Sequence, residues 1–129
     1  LKEEMTIALL ENRSASKRIQ AVNYSEEILK PDTKVLEAII NRLQFDENIN
    51  VRLTAAEALS RFSDNELVKD AFINVLSTEE TSEVQIAVIQ FLVKVQDKRA
   101  LVPMQTLLDK PEVPLFVKNK VDEGLKQLM

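Results

Sequence analysis

The chain has 129 residues, with 17 basic and 21 acidic side chains, a formal net charge of −4, one glycine, four prolines, and neither cysteine nor histidine. That length suits one domain around a continuous core, and so little Gly and Pro beside abundant Ala, Leu, Val, Ile, Glu and Lys points to helices. The missing Cys and His exclude, within this chain, disulfides, zinc held by Cys or His, and Cys- or His-dependent catalysis, while the acidic balance gives no electrostatic footprint for phosphate backbones or anionic membranes.

The first periodic segment is Met5-Thr6-Ile7-Ala8-Leu9-Leu10, and a second runs from Lys17-Arg18 through Ala21, Val22, Tyr24 and Ile28. A third covers Val35 to Leu43 and a fourth Val51 to Phe62. The fifth and sixth are Val68 to Leu76 and Val84 to Val95; the seventh and eighth are Ala100 to Leu108 and Val117 to Leu128. An offset of 33 residues separates Val51 from Val84 and Val84 from Val117, and the same offset separates Val35 from Val68. Repetition on this scale decides the architecture of a chain. Apolar or small residues recur at the first, fifth, eighth, ninth and twelfth places of the Val51, Val84 and Val117 segments, the spacing of one helix face.

The pattern therefore predicts about four helix pairs, near 1–29, 32–62, 65–96 and 98–128, in a single domain 1–129. Local chemistry suggests the boundaries. Ser63 with Glu66, and Ser82 with Gln85, read as capping boxes; Asp97 can cap the seventh helix, and Pro114 suits the first turn of the last. Pro103 falls inside the seventh helix, where a proline removes a hydrogen bond and is expected to kink the chain. The apolar run Ala87 to Val93 is interrupted by Gln90 and is far shorter than the roughly 20 residues that span a bilayer, so neither a membrane segment nor a signal peptide is expected. The opening Leu1-Lys2-Glu3-Glu4 suggests a domain excised from a longer chain.

These pairs resemble HEAT repeats, and the residues that carry the likeness are Val51-Arg52, Ala55-Ala56 and Ala58-Leu59 with their copies. The resemblance implies an all-α fold, a right-handed α-α superhelix (an armadillo-like, HEAT-like solenoid) of about four antiparallel pairs, and a non-catalytic binding or scaffold role. It also implies a ladder in which an aspartate between the two helices meets a basic residue early in the second, here Asp46 and Arg52. Arg18 holds the Arg52 place in the first copy, Lys118 in the last and Gln85 in the third, so the ladder is expected to weaken between the second and third pairs. The Trp, Gly and Tyr positions of tetratricopeptide repeats and the Thr-Pro-Leu-His of ankyrin repeats are missing.

A narrower resemblance is carried by Ile7 to Arg18, by Pro31-Asp32, and by Asn48-Ile49-Asn50-Val51-Arg52-Leu53. These stretches look like the C-terminal HEAT domain of bacterial membrane-tethered proteins with an N-terminal zinc-binding, anti-sigma-factor-like segment and one transmembrane helix. That likeness implies the periplasmic side of a single-pass inner-membrane protein, with a cytoplasmic location as the alternative. The zinc chemistry and sigma-factor binding of such proteins map onto no residue of this sequence.

In stacked repeats the second helices usually line the binding surface. At about 100° per residue, the third, seventh and tenth places of the motif point away from its core face: Ile19, Asn23 and Glu26; Leu53, Glu57 and Ser60; Ile86, Gln90 and Val93; Asn119, Glu123 and Lys126. Ile19, Leu53, Ile86 and Val93 form a candidate apolar strip flanked by Asn23, Glu57 and Gln90, on which a helix or extended peptide is expected to dock. The competing reading packs these aliphatics within the repeats or leaves them as scattered surface residues.

Other chemistry is sparse. The acidic loop Glu79-Glu80-Thr81-Ser82-Glu83 lacks the framework of a calcium loop, and is read as solvated with Ser82 as a cap. Glu26-Glu27 and Asp122-Glu123 are adjacent on helices and diverge by about 100°, so neither is an acid/base pair. Gly124, the sole glycine, cannot make a phosphate loop. No catalytic residue, cofactor or metal is expected. The expected partner is a protein or peptide, with no nucleic acid and no direct membrane contact from this segment, and the chain is expected to be monomeric; a nucleic-acid-binding HEAT-like protein is the alternative that the acidic charge opposes, and a purely structural scaffold is another.

Overall fold

The computed structural model describes residues 2–26 and 32–129, and among the described residues it contains eight α-helices and no strand. They are α1 (Lys2–Leu10), α2 (Ala15–Ser25), α3 (Thr33–Phe45), α4 (Ile49–Leu59), α5 (Glu66–Thr78), α6 (Ser82–Lys94), α7 (Leu101–Asp109) and α8 (Leu115–Leu128), with a short 3-10 turn, Lys98–Ala100, leading into α7. The all-α, HEAT-like class expected from the repeat is thus the class observed. Glu27, Ile28 and Pro31 lie outside the described residues.

Two compact units can be distinguished, Leu1–Phe62 and Ser63–Met129. Each holds two helical hairpins. In the first unit α1 packs on α2 and α3 on α4, while α1 neighbours α3 and α2 neighbours α4. In the second, α5 packs on α6, α7 on α8, α5 on α7 and α6 on α8. First helices therefore form one layer of each unit and second helices the other.

The repeat's apolar places are what hold these layers. Val51, Val84 and Val117 are wholly buried, each contributing roughly 1.5–3 kcal/mol of transfer free energy. Ala55, Ala58 and Leu59 of α4, and Val88, Phe91 and Leu92 of α6, fill the following places and are also buried. In the second unit the Phe72 and Phe91 rings lie 4.1 Å apart at 35°, joining α5 to α6. In α2 the pattern holds at Ala21 and Val22 but not at Tyr24, which is exposed; buried Ser25 turns its hydroxyl onto the Val22 carbonyl instead.

Helix starts use side-chain acceptors for orphan N–H groups. Ser14 caps α2, Asp32 caps α3 and Asn48 caps α4. The capping boxes expected at Ser63 and Ser82 are not those of the structure. Asn65, two residues beyond Ser63, caps α5 by accepting from the Leu67 and Val68 N–H at 2.9 and 3.2 Å. Thr81 holds the N-cap of α6 without its side chain capping the helix, Ser82 is already helical, and Gln85 is drawn away to the Glu79 carbonyl at 2.8 Å. Asp97 accepts from the Arg99 N–H at the 3-10 turn, and Pro114 occupies the N-cap of α8.

Pro103 is not interior as expected. It lies in the first turn of α7, and the discontinuity falls before it, where Ala100 N–H bonds to the Asp97 carbonyl at 3.1 Å and Leu101 N–H to the Lys98 carbonyl. A residue with no N–H cannot extend the α pattern backwards, so that turn closes as 3-10. The preceding helix ends on Gln96, the one described non-glycine residue with positive φ (57°). Asp97 N–H reaches back to the Leu92 carbonyl and Gln96 N–H to the Val93 carbonyl, each at 3.0 Å, a left-handed C-terminal cap usually given to glycine.

Candidate functional site

Two places combine polar groups with accessible apolar surface, and both repeat from hairpin to hairpin. The first is the layer of second helices. In the first unit α2 and α4 carry Ile19 and Leu53, each half-buried, beside exposed Asn23 and Glu57. In the second unit α6 carries Ile86 and Val93, also half-buried, beside exposed Gln90. None of the four aliphatics is sunk in the core.

Between α6 and α8 runs a groove of about 270 Å³, walled by Ile89, Gln90, Val93 and Lys94 on one side and by Lys120, Glu123, Gly124 and Gln127 on the other. Val93 belongs to the expected strip and Gln90 to its polar flank; Ile86, two turns from Val93 on the same helix, is not part of this wall. The walls are shaped by Gly124. A β-carbon there would stand 2.6 Å from the Met104 terminal methyl and 3.0 Å from a Val93 methyl, so α8 sits this close with no side chain at 124, and any larger residue must displace Met104 or Val93. Lys120 pairs with Glu123 at 3.6 Å across one exposed helical turn, leaving Lys94 as the remaining charge on the groove wall. Lys94, Lys120 and Gln127 were not foreseen from sequence because they lie between the chosen places of the motif. Gly124 had a signal, as a lone glycine at a buried helical place, whose use as a contact only the packing reveals.

The second place is the edge formed by the loops within hairpins. Arg18, buried near the start of α2, extends its guanidinium across to Asp46 at the end of α3, with Nε to Oδ2 at 2.7 Å and Nη2 to Oδ1 at 2.9 Å. Its remaining amino group donates to the carbonyls of Asn12 and Arg13 at 2.9 and 3.0 Å. The Asp46 carboxylate also accepts from Arg42 at 3.3 Å and from the Asn48 N–H at 2.9 Å. Burial pushes the Asp46 carboxyl up, but the Arg18 guanidinium, the Asn48 N–H and the nearby positive charges outweigh it and hold the group below its ordinary value; the Arg18 guanidinium is pushed up by the same bond to Asp46.

Arg52, expected to meet Asp46, does so through the backbone, donating Nη1 to the Asp46 carbonyl at 2.8 Å. The carboxylate itself is gripped by Arg18 of the preceding hairpin, 28 residues away. The recurring element is thus a second-helix side chain that returns to the carbonyl six residues earlier: Arg18 to Asn12, Arg52 to Asp46, Gln85 to Glu79. Among the described residues no group of three or more Asp or Glu side chains is placed to hold a metal ion, and none of the described helices is long and apolar enough to cross a membrane.

A family model of HEAT repeats matches residues 36–118, nearly two thirds of the chain. No curated protein matches this chain.

Proposed function

This chain belongs to the HEAT-repeat family, whose members generally serve as protein-interaction or scaffold modules and are typically non-catalytic, and on that premise we propose that it binds a protein or peptide through the layer of its second helices. The observation that carries this reading is the α6/α8 groove, an apolar floor at Ile89 and Val93 bordered by Gln90, Lys94, Lys120 and Glu123. Such a mixture of aliphatic floor and polar rim suits a segment that places one or two apolar side chains in the groove and keeps its polar side outward. In the first unit Ile19 and Leu53, with Asn23 and Glu57, make a surface of the same kind on α2 and α4.

Charge speaks for a protein rather than nucleic acid. The lysines of the groove are diluted by Glu123, and the corresponding exposed place of α4 is Glu57, so no basic stripe tracks a phosphate backbone. The test is a capture experiment with the natural full-length protein in its own cell extract, comparing the parent with Leu53→Glu, Ile86→Glu and Val93→Glu. Gln105→Glu, at an exposed position of α7, serves as control. Loss of one reproducible partner in any of the three variants, with the control retaining it, supports the reading. Retention of that partner in all three refutes it.

The finer proposal is that this domain is the soluble part of a bacterial membrane-tethered, anti-sigma-factor-like protein, facing the periplasm. Its support is the resemblance of the Ile7 to Arg18 and Asn48 to Leu53 stretches. Protease treatment of spheroplasts should digest the domain while cytoplasmic markers survive. A protein that stays protected until the cells are lysed would exclude the periplasmic placement.

A further inference from the structure

The loop edge of the second unit differs from that of the first in one respect that points to a ligand. By the repeat register, Gln85 stands where Arg18 stands two hairpins earlier, and Glu112 stands where Asp46 stands. In the first unit the guanidinium of Arg18 fills this position with two bonds to a carboxylate and two to backbone carbonyls. In the second, Gln85 keeps only the backbone part: its Nε2 donates to the Glu79 carbonyl at 2.8 Å. That bond fixes the amide orientation and leaves Oε1 buried without a hydrogen-bond partner, on a side chain whose residue is 3% exposed. Gln85 lines a cavity of about 490 Å³ together with Glu79, Glu80, Glu112, Lys110, Val113 and Pro114.

We propose that this cavity is a binding site for a guanidinium group, supplied by one arginine side chain of a partner protein. Three features select that chemistry. A buried amide oxygen without a donor is unfavourable and calls for an N–H. Three glutamates and one lysine line the cavity; the Glu79 carboxylate is engaged by the Thr81 N–H at 3.1 Å, while Glu80 and Glu112 outnumber Lys110, which forms no ion pair among the described residues, so a cation is favoured. The acceptors are an amide oxygen and glutamate carboxylates on neighbouring residues of the cavity wall, a setting that suits a planar, five-donor fork better than a compact ammonium ion. A metal ion is the poorer candidate, since no described acidic group is arranged to hold one. The first unit shows the fitted form of the same position, where the arginine is the chain's own.

This site lies on the loop edge, away from the α6/α8 groove, and it stands or fails independently of the second-helix reading. The whole chain, labelled with ¹⁵N, is titrated at constant ionic strength with the blocked peptide acetyl-Gly-Arg-Gly-amide, with its lysine counterpart, and with sodium chloride. The expected result is a saturable shift of the Gln85 side-chain amide and of the backbone amides of residues 110–113, with binding at least about tenfold weaker for the lysine peptide. Glu112→Gln, a change at an exposed residue, should weaken the arginine peptide by about tenfold, and Gln85→Arg, which supplies the guanidinium from within, should abolish the response. The proposal is overturned if the arginine peptide gives no saturable shift, as when a water molecule satisfies Oε1. It is equally overturned if lysine binds as well as arginine, or if Gln85→Arg leaves the titration unchanged.

Discussion

Replacing Asp46 by alanine tests the reasoning most directly, because that carboxylate joins α2 to α3 from a fully buried position. Its side chain is 0% exposed and that of Arg18 is 7% exposed. Deleting it removes both short bonds to the guanidinium, the Arg42 contact, and the acceptor of the Asn48 N–H. Arg18 would keep the Asn12 and Arg13 carbonyls but lose its counter-charge. A buried pair broken on one side destabilises by about 3–5 kcal/mol, a large part of the roughly 5–15 kcal/mol that holds a domain of this size.

With a urea slope of about 2 kcal/mol/M, the midpoint should fall by about 2 M. Tyr24, the sole tyrosine of a chain without tryptophan, sits on α2 and reports on the first unit by fluorescence. In an Arg18→Met background the same Asp46→Ala change should be much milder, since no buried cation is then stranded. The pH dependence follows in sign. Asp46 has a folded-state pKa below its ordinary value of about 3.9, so its stabilisation is complete above that value and is lost as pH falls through the folded pKa. The acid limb of the stability curve should flatten in Asp46→Ala. A loss below about 1 kcal/mol, the size of an exposed ion pair, or an equal loss in the Arg18→Met background, would refute the account.

Three further outcomes are expected. Gln96→Gly removes the left-handed strain at φ 57° and should raise stability by about 0.5–1 kcal/mol in urea melts, despite losing the side-chain bond to the Val93 carbonyl. Gly124→Ala should lower it by about 1 kcal/mol: an overpacking cost of about 2 kcal/mol from the Met104 and Val93 contacts, less about 1 kcal/mol of helix propensity; a stabilised variant would show that Met104 swings aside freely. Phe72→Ala empties a fully buried place against Phe91 and should cost about 3–5 kcal/mol, read by calorimetry or denaturant titration.

The parts of this structure that were legible in the sequence are those set by near neighbours along the chain. Val51, Val84 and Val117 repeat at a fixed spacing because each fixes the buried stripe of one helix, and a stripe is a local property. Cap assignment was local too, yet it went astray at Ser63 and Ser82. A Ser-x-x-Glu pattern matches a capping box, but Asn65 offers an equally good acceptor two residues later, and nothing in the pattern ranks the two. The pairing of Asp46 was legible only in part, for a different reason. Arg52 is six residues away and Arg18 is 28, and both reach the same residue, one at its carbonyl and one at its carboxylate. Sequence separation says nothing about which hairpin edge faces which.

The eighth place of the motif shows the same limit in the core and explains why one site can differ from its copies while the repeat persists. It is Ala58 in α4, Phe91 in α6 and Gly124 in α8, and all three are buried. Read along the chain, the place is merely tolerant of size. Read in the structure, Phe91 is large because it meets the Phe72 ring, and Gly124 is small because Met104 and Val93 already occupy the space its β-carbon would need. Close packing makes such choices interdependent, so the residue at one place is set by a partner on another helix. The α6/α8 groove inherits its width from that exchange: a larger residue at 124 would displace the Met104 methyl first and then Val93 or α8 itself, and a shift of Val93 or α8 would reshape the surface on which a partner is proposed to sit.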